Sequence, residues 1–219
     1  MVRLLVTVGT LNLLAGLIVA QAAQSGNQPG QVLPGPFRTF VVTGAQTKPP
    51  AEAIQPEERQ NLGDVNRLGK FHDFVTHYSL EPTVAVFARE IPAADHPVGK
   101  LLEALDQAVV SNRAARLHAF AVFLTLKGDY FQDETWASQI KQIEALADQL
   151  KLKAVPLAFD KSDSAQTKAY QIAPENAVVV LVYANQTVQA RYIFSADKPL
   201  DDAAIKTVMG DVSKLVGSR

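Results

Sequence analysis

AVVVLVYANQTVQARYIF, residues 177–194, decides the fold. Residues 177–184 are an unbroken apolar run rich in valine, the pattern of a strand buried on both faces. Asn185, Gln186 and Thr187 supply the turn, and residues 188–194 return as an antiparallel partner. Beyond the hairpin, Pro199, Leu200, Asp201 and Asp202 open a closing helix whose Ile205, Val208, Val212 and Leu215 share one face.

Upstream, the same contrast between apolar runs and helical spacing repeats. TVAVFA at 83–88 follows Pro82 and reads as a buried strand. In residues 98–117, Val98, Leu101, Leu102, Leu105 and Val109 recur at helical intervals. HAFAVFLTL at 118–126 is the next buried strand. Asp133 is placed to cap a helix carrying Trp136, Ile140, Ile143, Ala147 and Leu150 on one face. AVPLAFD at 154–160 is a further strand, in which Pro156 calls for an edge position or a strand start. Strands separated by amphipathic helices predict an α/β domain with helices on both faces of the sheet.

Ahead of this core, residues 37–44 (FRTFVVTG) and 71–78 have the aromatic and β-branched content of short strands. Residues 24–35, rich in Gly, Gln and Pro, read as a flexible linker, and 47–64 as a polar surface loop. The expected division is a signal peptide at 1–22, a linker and strand/loop extension at 23–81, and an α/β domain at 82–219. The signal reading rests on Arg3, the apolar residues 4–20, and Ala20-Gln21-Ala22 as an A-x-A cleavage pattern before Ala23. The competing reading is an uncleaved anchor. Gly9, Asn12 and Gly16 weaken that span, and a transmembrane helix needs about 20 apolar residues. Cleavage removes one charge, Arg3, and takes the formal net charge from −1 to −2.

Composition excludes several functions. With 21 basic and 22 acidic side chains, interspersed along the chain, there is no basic face for nucleic acid. The 219 residues contain no cysteine, which removes disulfides, zinc–thiolate and iron–sulfur ligation, lipoprotein anchoring and every thiol nucleophile. No G-x-S-x-G elbow and no phosphate-cradling or dinucleotide fingerprint is present. The acidic pairs Asp133-Glu134 and Asp201-Asp202 stand at predicted helix starts, where the helix dipole accounts for them.

The order of elements from Pro82 to Val216 resembles the thioredoxin-like fold, with details of the peroxiredoxin and thiol-disulfide-oxidoreductase branch. AYQIAPENAVVVLVYANQTVQARYIF, residues 169–194, is similar to that branch's turn, apolar strand, polar turn and second strand. LDDAAIKTVMGDVSKLV, residues 200–216, resembles its closing helix. The resemblance implies a CxxC or a single reactive cysteine just after the first strand of the fold. Here that place reads REIPAADHPVGK, residues 89–100, without sulfur. It also implies a cis-proline before the strand at 177–184, and Pro174 stands three residues before Ala177. No catalytic, cofactor-binding or metal-binding residue carries over.

Four histidines are left to weigh. His72 and His77 flank Asp73 in a segment read as a strand, where positions five apart face opposite sides, so ordinary surface histidines are expected. His96, beside Asp95, lies in the loop that replaces the thiol motif and reads either as a solvated residue or as a binding residue. His118 opens a strand. The expected function is an exported, cysteine-free, non-catalytic binding or scaffolding module, with an envelope protein or peptide as partner and no cofactor. The alternatives are a non-thiol enzyme using the loop 89–96, or an envelope assembly factor tethered by residues 4–20.

Overall fold

The computed structural model describes residues 28–44, 67–127 and 134–217. The hairpin forms as expected, with strands β6 (Val178–Ala184) and β7 (Thr187–Phe194). Asn185 and Gln186 both take left-handed φ, 51° and 57°, which matches the twist of a two-residue hairpin turn. β6 pairs antiparallel with β3 (Thr83–Ala88), and β3 pairs parallel with β4 (His118–Leu126). β4 pairs parallel with β5 (Leu157–Lys161), which lies against β1 (Arg38–Thr43) in antiparallel register. With β2 (Phe71–Asp73) beside β1, the seven strands run in the order β2-β1-β5-β4-β3-β6-β7.

Alternation along the strands divides the core in two. Val84, Val86, Ala119, Ala121, Phe123, Val180 and Val182 face helices α2 (Pro97–Ser111), α3 (Glu134–Leu150) and α5 (Asp202–Gly217). Leu101, Leu105, Ile143, Leu150, Val208 and Val212 meet them from those helices. Ala85, Phe87, Phe120, Val179, Leu181 and Tyr183 face the other way. That second core is closed by Leu33, Phe37, Phe74, Val75, Tyr170 and Ile172, brought by the N-terminal segment and by the short helices α1 (Phe74–His77) and α4 (Ala165–Ala169) with its flank. Helices therefore cover both faces, three long ones on one side and two short ones on the other.

Several expectations change in the structure. Only Phe71–Asp73 of the segment 71–78 is strand. An Asp73 carboxylate oxygen accepts the N–H groups of Val75 and Thr76 at 3.1 and 3.2 Å and starts α1 there. A side-chain cap thus overrides the β propensity of Phe74, Val75 and Thr76. Residues expected as linker are fastened from Gln28 onward: the Gly30 N–H donates to Val188 O and the Leu33 N–H to Gln186 O, both at 2.8 Å. Leu33 is buried by this pairing. β5 lies inside the sheet, and Pro156 immediately precedes its first residue, so the missing N–H costs no ladder bond. β1 and β2, from the segment set ahead of residue 82, are strands of this same sheet. The signal segment 1–22, the loop 47–64 and the Asp133 cap lie outside the described residues. No described helix is long and apolar enough to cross a membrane.

Candidate functional site: the carboxyl end of β3

The loop in the position of the thiol motif runs from Arg89 to His96, between β3 and α2. The Arg89 main-chain N–H donates to Ala177 O at 2.9 Å and joins this loop to the entrance of β6. Its guanidinium turns toward the second core and donates to three carbonyls. Nη1 reaches Ser162 O at 2.7 Å, and Nη2 reaches Ile172 O at 2.7 Å and Ala173 O at 3.0 Å. One side chain therefore straps together the ends of β3 and β5 and the approach to β6. Burial lowers the Arg89 pKa from its ordinary value, with the Glu175 carboxylate acting the other way, and a guanidinium keeps its charge throughout the physiological range.

A second guanidinium holds the same segment. Arg191, on β7, donates Nη2 to Gln171 O at 2.8 Å, and burial lowers its pKa too. Gln171 has a left-handed φ of 51°, so three successive carbonyls of this bend, residues 171–173, are turned onto two arginines. The Asn176 side chain closes the next turn by accepting the Ala173 N–H at 2.9 Å. Every described peptide bond is trans, that of Pro174 included. Arg89→Lys keeps the charge and loses the fork, so it is expected to lower the unfolding free energy by about 2 kcal/mol. Urea denaturation measures this, and an unchanged midpoint would mean that solvent satisfies the three carbonyls.

His96 is neither a plain loop histidine nor aimed into the sheet. It caps α2, its Nδ1 accepting the Val98 N–H at 3.3 Å, with Pro97 at the first helical position. The helix then meets the loop closely. A Cβ on Gly99 would lie 2.2 Å from Ala94 O, so only glycine lets the loop rest on α2. Asp95 and His96 are exposed. Across the sheet end, Asp160 is fully buried and is held by Gln166 and by the Ser164 hydroxyl, while Ser164 also caps α4 through the Thr167 N–H at 3.1 Å. Arg89 Nε and Arg191 Nε and Nη1 are buried here without a hydrogen-bond partner, and among the described residues of this end no side chain stands as a nucleophile next to an imidazole or amine base.

From the β2 edge of the sheet to the start of β4 runs a grouping that strand periodicity hides. Because the chain turns into α1 after Asp73, His72 and His77 come together, with ring centroids 5.3 Å apart. Arg67 lies against both, its Nη1 2.9 Å from His72 Nε2 and its Nη2 3.3 Å from His77 Nδ1. Tyr78 stacks on His118 at 4.0 Å, and Glu81 bonds both His118 and Arg116, the latter at 2.6 Å. Reading Asp73 as a helix cap rather than a strand residue is the signal that would have found this cluster. Among the described residues no group of three or more His, Asp or Glu side chains is arranged to hold a metal ion.

No family model matches the chain, and no curated protein matches it in sequence. Solved structures do match in shape. AhpC of Mycobacterium bovis superposes with a TM-score of 0.54 at 13% identity, over 90% of this chain and 96% of its own. AhpC of Mycobacterium tuberculosis gives 0.52 at 14% identity, over 86% and 97%. A Chlorobium tepidum protein assigned as thiol:disulfide interchange protein DsbE gives 0.52 at 10% identity, over 89% and 99%. At these identities the likeness is one of fold. The chain has a thioredoxin-like fold and contains no cysteine.

Proposed function

We propose that the protein is exported through residues 1–22 and works in the bacterial envelope as a non-catalytic binding or scaffolding module. The observation that carries this reading is the Arg89 strap. Where the resemblance implies a thiolate, a permanently charged guanidinium is spent on three main-chain carbonyls. A guanidinium locked in this way can neither attack nor leave, so this end of the sheet serves rigidity. The segment 1–22, with its A-x-A pattern, supports the export half of the proposal. His96, its ring nitrogen engaged by the α2 cap, gives no support to an enzyme built on the loop 89–96.

The partner class that suits the architecture is an extended peptide added to a sheet edge by main-chain pairing. β7 is the last strand of the sheet; residues 30–33 already pair with its start at Thr187 and Val188, and Ile193, toward its other end, is 39% exposed. Two measurements test the proposal. The intact mass of the mature native protein should begin at or near Ala23, whereas Met1 retained in the membrane fraction would favour a tethered assembly factor. A photo-crosslinker at Ile193 should capture one reproducible envelope partner that a crosslinker at Glu103, on exposed α2 surface, does not. Equal capture from both positions, or none from Ile193, would overturn the edge-binding reading.

A further inference from the structure

We propose that Arg67, His72 and His77 form a clasp that is closed at neutral pH and opens in mild acid, releasing β2 and α1 at the edge of the sheet. The chemistry of the donor decides the protonation states. A guanidinium donates and never accepts, so His72 Nε2 at 2.9 Å and His77 Nδ1 at 3.3 Å each present a lone pair to Arg67. Both rings are therefore neutral, with the proton on the other nitrogen. A second proton on either ring deletes an acceptor and sets an imidazolium against a guanidinium. His72, half-buried and at the shorter distance, carries the larger share, and exposed His77 the smaller.

The surrounding charges sharpen this polarity. Among the described residues, Asp73, Tyr78, Glu81, Arg116 and His118 lie along the same network, with Lys70 in the adjoining turn. Asp73 spends one carboxylate oxygen on the N–H groups of Phe37, Val75 and Thr76, so it serves the start of α1. Glu81 is held by Arg116 and His118, and Tyr78 lies between His118 and His77. His118 thus faces a carboxylate, whereas His72 and His77 face the Arg67 guanidinium. What the clasp holds is local. The turn at 67–70 pairs with β1 through Gly69 N–H to Val41 O and Val41 N–H to Lys70 O, and Arg67 ties that turn forward to β2 and α1.

The test is made on the native full-length chain by histidine NMR titration with amide exchange, corrected for intrinsic pH dependence. His72 and His77 are expected to titrate below about 6.5, the ordinary histidine midpoint. In step with them, the Gly69, Val75, Thr76 and Tyr78 amides should exchange about tenfold faster relative to the β3 core. Titration of both rings at or above that midpoint, or exchange unchanged through it, would overturn the clasp. The double variant H72Q/H77Q keeps an oxygen acceptor and cannot take a proton. Its acid step should vanish, and an acid step that survives would equally overturn the proposal.

Discussion

Asp106→Ala should lower the unfolding free energy by about 3 kcal/mol, a large fraction of what a domain of this kind has in reserve. Asp106 sits in α2 with 7% of its surface exposed. One of its carboxylate oxygens accepts the N–H groups of Lys153, Ala154 and Val155 at 2.9, 2.6 and 3.0 Å. These three residues lead from α3 into β5, so a single carboxylate fastens that crossover of the sheet to α2. Removing it strands donors that the fold has taken out of water. Hydrogen bonds to a charged group contribute roughly 1.5–3 kcal/mol each and are not additive around one acceptor. Asp106→Asn retains an oxygen and loses the charge, and should cost less than the alanine change. Urea unfolding of the two variants measures the order, and an alanine variant within about 0.5 kcal/mol of the native chain would contradict it.

Gly99→Ala pits two effects of opposite sign against each other. Inside a helix, alanine is favoured over glycine by about 1 kcal/mol, so propensity alone expects a more stable protein. The added Cβ, however, would stand 2.2 Å from Ala94 O and 3.0 Å from its carbonyl carbon. Those are main-chain atoms of the loop that ends in the His96 cap, and they cannot swing aside as a side chain can. Overpacking of this kind costs about 1–3 kcal/mol or more, and here it should win, giving a net loss of about 2 kcal/mol. The same change should loosen the Val98 amide, whose N–H is held by His96 Nδ1. A variant more stable than the native chain would show that the loop yields without cost.

Much of the fold is legible in the sequence because the central strands are buried on both faces. β3, β4 and β6 are continuous apolar runs that no helix period fits, and α2, α3 and α5 each show one apolar stripe. The resemblance to the thioredoxin-like fold agrees with the sheet they form, and the spatial order of the strands comes from the structure. What escapes is decided by single hydrogen bonds, some local and some across long separations. The Asp73 cap turns a strand-like stretch into α1, and that one event brings His72 beside His77. Residues 28–35 have a linker's composition, yet they pair with β7, and the Tyr170 hydroxyl donates to Gly35 O. Burial, with a smaller contribution from Asp73, pushes the Tyr170 phenol well above its ordinary range, so that bond persists through neutral pH. Arg89 leaves no mark in the sequence because its acceptors are main-chain carbonyls, which every residue has.

The end of the sheet where the resemblance implies chemistry is strapped by Arg89 and Arg191, capped by His96 and closed against Gly99. Amide exchange of the native chain at neutral pH tests this most directly. The amides of Arg89, Val98, Ala173 and Ala177, each donating to a named acceptor, should be protected to within about tenfold of the β3 and β6 core and should lose that protection together in Arg89→Lys. Exchange of these four amides at the rate of an open loop in the native chain, with the core still protected, would contradict a structural strap and return this end of the sheet to the candidates for an active site.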